Sequence, residues 1–123
     1  MRSVAVLGIG QTKVEEQWEK SLRELAGEAI LAAMQDAGVQ TANALYVGNM
    51  MSGSASHQQH LGSYIADWVG LPFTEAARVE AACSSGAAAF RSALIAVSSG
   101  EVDIAIAVGV EKMTDSPAEE ITA

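Results

Sequence analysis

Apolar residues along the chain alternate between short unbroken runs and longer stretches of helical spacing. "SVAVLGIG", residues 3–10, is an apolar, β-branched-rich run closed by glycines and predicts a buried strand. In "EEQWEKSLRELAGEAILAAMQDAG", Trp18, Leu22, Leu25, Ala29, Ala32 and Ala33 recur at helical spacing, with Ile30 and Met34 widening the stripe. That pattern predicts an amphipathic helix over 17–38, acidic in its first turn and stopped by Gly38 in the left-handed conformation. "NALYVGNM" repeats the strand signature over 43–50, and Tyr64, Ile65 and Trp68 mark a second helix over 58–70, ended by "GLP". A weaker strand is predicted over 76–82, "AARVEAA", and a third helix over 84–99 with Gly100 as its stop. The last strand, 103–110 or "DIAIAVGV", is apolar at nearly every position, which predicts a central, parallel strand covered on both faces. Beyond Val110 the chain turns polar and no further element is predicted. Strands and helices in strict alternation specify an α/β layered sheet with right-handed crossovers.

The third helix is unusual. Arg91 is its only charged residue, and Ala87, Ala88, Ala89, Ala93 and Ala96 surround its axis. A helix without a polar face is normally covered on several sides, and one sheet covers only one. A further layer, from more chain or from a partner, is therefore expected on the far side. Alanine chosen for helix propensity alone is the competing reading.

Composition narrows the function. With 123 residues, half of them apolar, the chain suits one domain whose core needs no disulfide or metal clip. A net charge of −8, from 15 acidic against 7 scattered basic residues, argues against nucleic acid as a partner. No run is long enough to cross a bilayer, and "MRSVAVLGIGQTK" shows no convincing cleavage site, so a reduced, cytoplasmic location is expected. One cysteine makes neither an internal disulfide nor a multi-thiolate metal site.

That cysteine, Cys83, falls where the strand over 76–82 gives way to the small-residue helix. Ligands gather at the carboxyl ends of parallel strands, and first-turn amides of a helix favour a thiolate and an oxyanion beside it. Nucleophile and buried filler are equal readings from position alone. His57 and His60 in "SASHQQHLGSY" are the only histidines. Without a carboxylate or thiol at matching spacing they make no metal site, and neither is assigned as a base. "GIGQTK", Gly8 to Lys13, lacks the third glycine of a dinucleotide fingerprint and reads as a strand exit. Capping and first-turn hydrogen bonds are the expected role of Ser84 and Ser85. Glu111 reads as a solvated strand end or a site-lining residue, and Met50 and Met51 as core filling or as contacts to a ligand or partner.

Four stretches in order, "VLGIGQTK", "YVGNMMSG", "VEAACSSGAAAF" and "AIAVGVEKMTD", resemble the N-terminal part of a thiolase, most closely the archaeal and sterol-carrier-protein type. "ACSSG" differs from the "CGSG" of many biosynthetic thiolases and comes near the "ACSSS" of ketoacyl synthases. The resemblance implies the N-terminal portion of a layered αβαβα fold, with the small-residue helix between sheets. It also implies that Cys83 takes an acyl group from a coenzyme A thioester, which is substrate and not cofactor, for Claisen condensation or thiolysis of a 3-ketoacyl-CoA. It further implies a homo-oligomer joined through the 76–82 strand. The family's Gly-His-Pro histidine, its Cys-x-Gly cysteine, its loop domain and its second half have no counterpart in these residues, so the chain alone is expected to be inactive, either as a fragment or as one piece of a split enzyme whose complementary chain carries the missing half. A decarboxylating condensing enzyme of the ketoacyl synthase kind, and a non-catalytic scaffold or acyl-binding subunit, are the alternatives.

Overall fold

In the computed structural model, which describes residues 1–118, the sheet has three parallel strands. They are β1 (Ala44–Gly48), β2 (Glu75–Val79) and β3 (Ala105–Gly109), in the order β2-β1-β3. Register pairs Gly48 with Val79 on one side and with Gly109 on the other, so all three strands end level. Helices α1 (Leu22–Ala37) and α3 (Leu61–Val69) cover one face, and α4 (Ser85–Ser98) the other.

Side-chain alternation explains the two faces. In β1 and β3, Leu45, Val47, Ile106 and Val108 point toward α1 and α3, where Leu22, Ala26, Ile30, Met34, Leu61 and Ile65 complete the core. The intervening positions are small. Gly48 and Gly109 lie against Ser85 and Gly86 at the start of α4, and a Cβ on Gly48 would stand 2.5 Å from the Ser85 carbonyl carbon. Small residues on both surfaces let α4 sit close to the strands, with Ala89 and Ala93 buried beneath it. Its opposite face, with Phe90, Leu94 and Ile95, is bare.

Several boundaries differ from the sequence pattern. The first helix begins at Leu22, not near residue 17, because a capping box closes it there: the Glu24 amide donates to Ser21 Oγ (3.3 Å) and the Ser21 amide to the Glu24 carboxylate (2.7 Å). Those bonds hold the Glu24 carboxyl below the usual carboxylate range. Trp18 lies outside the helix and is exposed. Gly38, in the left-handed region at φ 69°, ends α1 as its residue type predicts. A short helix α2 (Ser52–Ala55) and a 3-10 turn at Met113–Asp115 appear where the sequence shows no periodicity. Residues 119–123 of the polar tail lie outside the described residues.

Two departures are larger. β3 is an edge strand among the described residues, not a central one, and residues 3–10 form no strand. That segment is held at both ends. Arg2 donates to the Val97 and Val102 carbonyls and to Asp103, while the Ile9 amide donates to Asp36 (2.9 Å) and Gly8 and Gly10 abut the backbone of α1. Between it and β3 lies an apolar cavity of about 540 Å³, lined among others by Val6, Ile9, Leu94, Ile106 and Val108. The segment does not pair with β3, and its Val4, Val6, Leu7 and Ile9 are exposed.

Candidate active site

Cys83 is exposed on the turn that carries the chain from β2 into α4. The β2 ladder stops at Val79, three residues short of the predicted end at 82, because the chain turns back on itself. Ser84 N–H donates to the Ala81 carbonyl (2.9 Å) and Ser85 N–H to the Ala82 carbonyl (3.1 Å). The Ser85 hydroxyl staples the same turn: it accepts from the Ala81 amide (2.9 Å) and donates to the Ala82 carbonyl (2.6 Å). Glu80 accepts from the Ala82 amide. Ala82, immediately before the cysteine, stands at φ 50°, a left-handed conformation that costs an alanine energy and persists only where its surroundings enforce it. These bonds do the enforcing, and the Cys83 side chain on the turn they hold is exposed.

The buried-filler reading of Cys83 is therefore not what the geometry shows. Ser85 is buried and occupied with the turn, whereas Ser84 is the N-cap of α4 without a side-chain cap bond. His57 and His60 are exposed, both at φ 52°, and among the described residues neither hydrogen-bonds to Cys83. No group of three or more His, Cys, Asp or Glu side chains converges as a metal site among the described residues. The large cavity beside residues 3–10 does not include Cys83.

A polar cluster beside this turn had only a partial signature in the sequence. The Glu111 carboxylate accepts from Asn49 Nδ2 (2.9 Å), the Met50 amide (3.0 Å) and the Met51 amide (2.9 Å). Asn49 is wholly buried, its Oδ1 accepting from the Ser52 amide (2.9 Å) and Arg78 Nε (3.3 Å), while Arg78 Nη2 donates to the Met50 carbonyl (2.8 Å). Residues from all three strand ends thus meet in one network. Glu111 is not a solvated strand end. The signal available was a charged residue directly after a strand of small and apolar residues, but its partners lie about 60 positions away and leave no local pattern.

A thiol on a tight strand-to-helix turn, above a close-packed small-residue interface, can be compared with known proteins. The family model "Thiolase, N-terminal domain" matches residues 4–123. The chain belongs to the thiolase family. It is 54% identical over 117 residues to an acetyl-CoA acetyltransferase of Methanothermobacter thermautotrophicus, covering 94% of this chain and 30% of that protein. Likeness to the acetyl-CoA acetyltransferase of Methanocaldococcus jannaschii is 47% with the same coverage. The chain thus spans about a third of the length of these thiolase relatives. Among solved structures it is similar to 3-oxoacyl-[acyl-carrier-protein] synthase III of Aquifex aeolicus VF5, with a TM-score of 0.69 at 18% identity over 79% of this chain and 32% of that one. The corresponding synthase of Pseudomonas aeruginosa PAO1 gives 0.62 at 23%, over 71% and 26%. At such identities the likeness is one of fold: an α/β, thiolase-like layered arrangement with a parallel sheet.

Proposed function

We propose that this thiolase chain supplies the acyl-accepting half of an acyl-CoA C-acyltransferase, with Cys83 as nucleophile. The observation that carries the reading is the exposed thiol on its stapled, left-handed turn, in a chain matched by the thiolase N-terminal model over nearly all its length. Relatives named acetyl-CoA acetyltransferase support the substrate class. The fold-level likeness to 3-oxoacyl synthases carries less weight for the chemistry than the closer sequence likeness to the acetyltransferases.

In this reading the Cys83 thiolate attacks the carbonyl carbon of a coenzyme A thioester. A carbon–sulfur bond forms, the carbonyl electron pair moves onto oxygen, and the backbone N–H of Cys83 helps to stabilise that oxyanion. Collapse expels the coenzyme A thiolate, which takes up a proton, and leaves an acyl-Cys83 thioester. Transfer to the carbanion of a second acyl-CoA completes the Claisen step, and the reverse sequence cleaves a 3-ketoacyl-CoA. Neither His57 nor His60 hydrogen-bonds to Cys83 among the described residues, and neither is assigned as the base that forms the carbanion.

The outer edge of β2, open among the described residues and followed by the exposed residues 80–84, is the surface through which two copies join, as the family resemblance implies. Phe73, fully exposed just before that strand, supports an interface there. A reducing, cytoplasmic setting fits an unpaired thiol. Among the described residues no helix is long and apolar enough to cross a membrane.

The test is the intact mass of the protein, with every chain that copurifies, before and after incubation with acetoacetyl-CoA. Gain of one acyl group mapped to Cys83, lost in Cys83→Ala, is the expected result. A thiol that stays unmodified in a complete assembly overturns the reading.

A further inference from the structure

Beyond the nucleophile, the strand ends carry a device that no part of the acyl-transfer reading uses. Met50 and Met51 leave the sheet two and three residues after Gly48, and Gly48 touches Ser85, two residues after Cys83. The loop and the thiol turn therefore rise side by side from the same end of the sheet, and the Asn49 amide donates to the Val79 carbonyl (3.1 Å) at the point where they part. Three backbone polar groups at the loop's start have charged partners: Glu111 takes the Met50 and Met51 amides, and Arg78 takes the Met50 carbonyl. Hydrogen bonds to ionised groups are stronger than neutral ones, and here opposite charges grip opposite sides of one peptide. The downstream loop is fixed from the same stretch of chain. Asp115, paired with Lys112, accepts from Ser56 Oγ (3.2 Å), and Ser116 Oγ donates to the Ala55 carbonyl (2.7 Å).

So many bonds on a loop whose fully buried residues are the polar Asn49 and Ser52 point to a need for shape, not bulk stability. Both methionine side chains are partly exposed, and methionine is the flexible apolar filler suited to an aliphatic ligand. We propose that Glu111 is a positioning residue that fixes the 49–52 loop as one wall of the approach to Cys83, so that Met50 and Met51 set how long an aliphatic chain the thiol admits. The aliphatic substrate class rests on the acyl-transfer reading above. The wall itself does not.

The test uses the full chain, with any chain it assembles with, and the variants Glu111→Gln, Met50→Ala and Met51→Ala. Glutamine keeps the size but places an NH2 opposite one backbone amide. Two readouts are taken: hydrogen exchange at the Met50 and Met51 amides, and the ratio of Cys83 alkylation rates by N-hexyl-iodoacetamide and by iodoacetamide, which cancels general changes in thiol reactivity. Expected for Glu111→Gln is a loss of amide protection of roughly tenfold or more, with the ratio shifted at least about threefold toward the long reagent. At least one methionine variant should shift the ratio in the same direction without loss of amide protection. An unchanged ratio in both methionine variants overturns the proposal even if Glu111→Gln fails to fold, and unchanged protection in a folded Glu111→Gln overturns it too. Acetyl-CoA is offered to the unsubstituted protein in parallel. Failure to acylate Cys83 would count against the acyl-transfer reading, while the alkylation ratio still decides whether the wall exists.

Discussion

Replacing Gly48 by alanine perturbs the contact on which the placement of Cys83 depends. The new Cβ would stand 2.5 Å from the Ser85 carbonyl carbon and 2.7 Å from the Gly86 amide nitrogen, against the roughly 3.5–4.0 Å of an ordinary carbon contact. Backbone lies on both sides, so no side chain can rotate away. β1 is paired with β2 and β3 and cannot recede, which leaves α4 to move off the sheet by about 1 Å and carry the cysteine turn with it. Overpacking of this kind costs about 1–3 kcal/mol, and the upper end applies because neither surface is soft. The same interface supplies two controls. At Gly109 the nearest atom to a new Cβ is Gly86 Cα at 3.3 Å, and at Gly86 it is Gly109 Cα at 3.7 Å. Gly109→Ala should therefore cost less than Gly48→Ala, since Gly86 need give by only a few tenths of an ångström. Gly86→Ala, inside α4, should stabilise by up to about 1 kcal/mol through helix propensity. Urea denaturation ranks the three, and the alkylation rate of Cys83 by iodoacetamide reports whether the turn has moved. A Gly48→Ala protein as stable as the Gly86→Ala one, with an unchanged alkylation rate, would refute the close-packed geometry.

Other outcomes follow from single side chains. Ser52 is buried with no hydrogen-bond partner for its hydroxyl among the described residues, and such a group costs about 1–3 kcal/mol, so Ser52→Ala should raise the denaturation midpoint. Ser85→Ala removes both bonds of the staple and should lower stability by about 1–2 kcal/mol while changing the Cys83 alkylation rate. Because the fold lowers the Glu24 carboxyl, with the Ser21 backbone bond the main cause, the capping box contributes above the ordinary carboxylate range. That contribution is lost as pH falls through the depressed value. Denaturation midpoints followed into the acid range should fall less steeply for Glu24→Gln than for the unsubstituted chain.

Helices α1, α3 and α4 and the three paired strands were legible because periodicity and glycine stops are local properties, and Gly38, Gly70 and Gly100 all stand at positive φ where the chain leaves a helix. The edge position of β3 was not legible. An all-apolar run predicts covered faces, yet only Val108 of β3 is buried among the described residues, and edge or centre is decided by which backbone pairs with it. Residues 3–10 carry a strand's composition but meet no ladder, for the same reason. At the site, the strand-to-helix placement of Cys83 could be read from small residues following a strand. The exposure of its thiol depends on the Ala82 conformation and the Ser85 staple, and no spacing rule encodes those. Glu111, Asn49 and Arg78 were invisible as a set because three separate strands bring them together.

The bare lips around the cavity bear on how this chain behaves in a tube. Val4, Val6, Leu7 and Ile9 are exposed in a row, and the outer edges of β2 and β3 offer unpaired backbone groups among the described residues. Two molecules could satisfy both needs by annealing into a shared cross-strand stack, the route by which open edges seed aggregates. What limits growth beyond a joined pair is mutual repulsion from the net charge of −8 on each chain. Salt shortens the reach of that repulsion to about 10 Å at 0.1 M and leaves the apolar attraction intact. Dilute buffer should therefore keep the chain dispersed, and added salt should turn it cloudy.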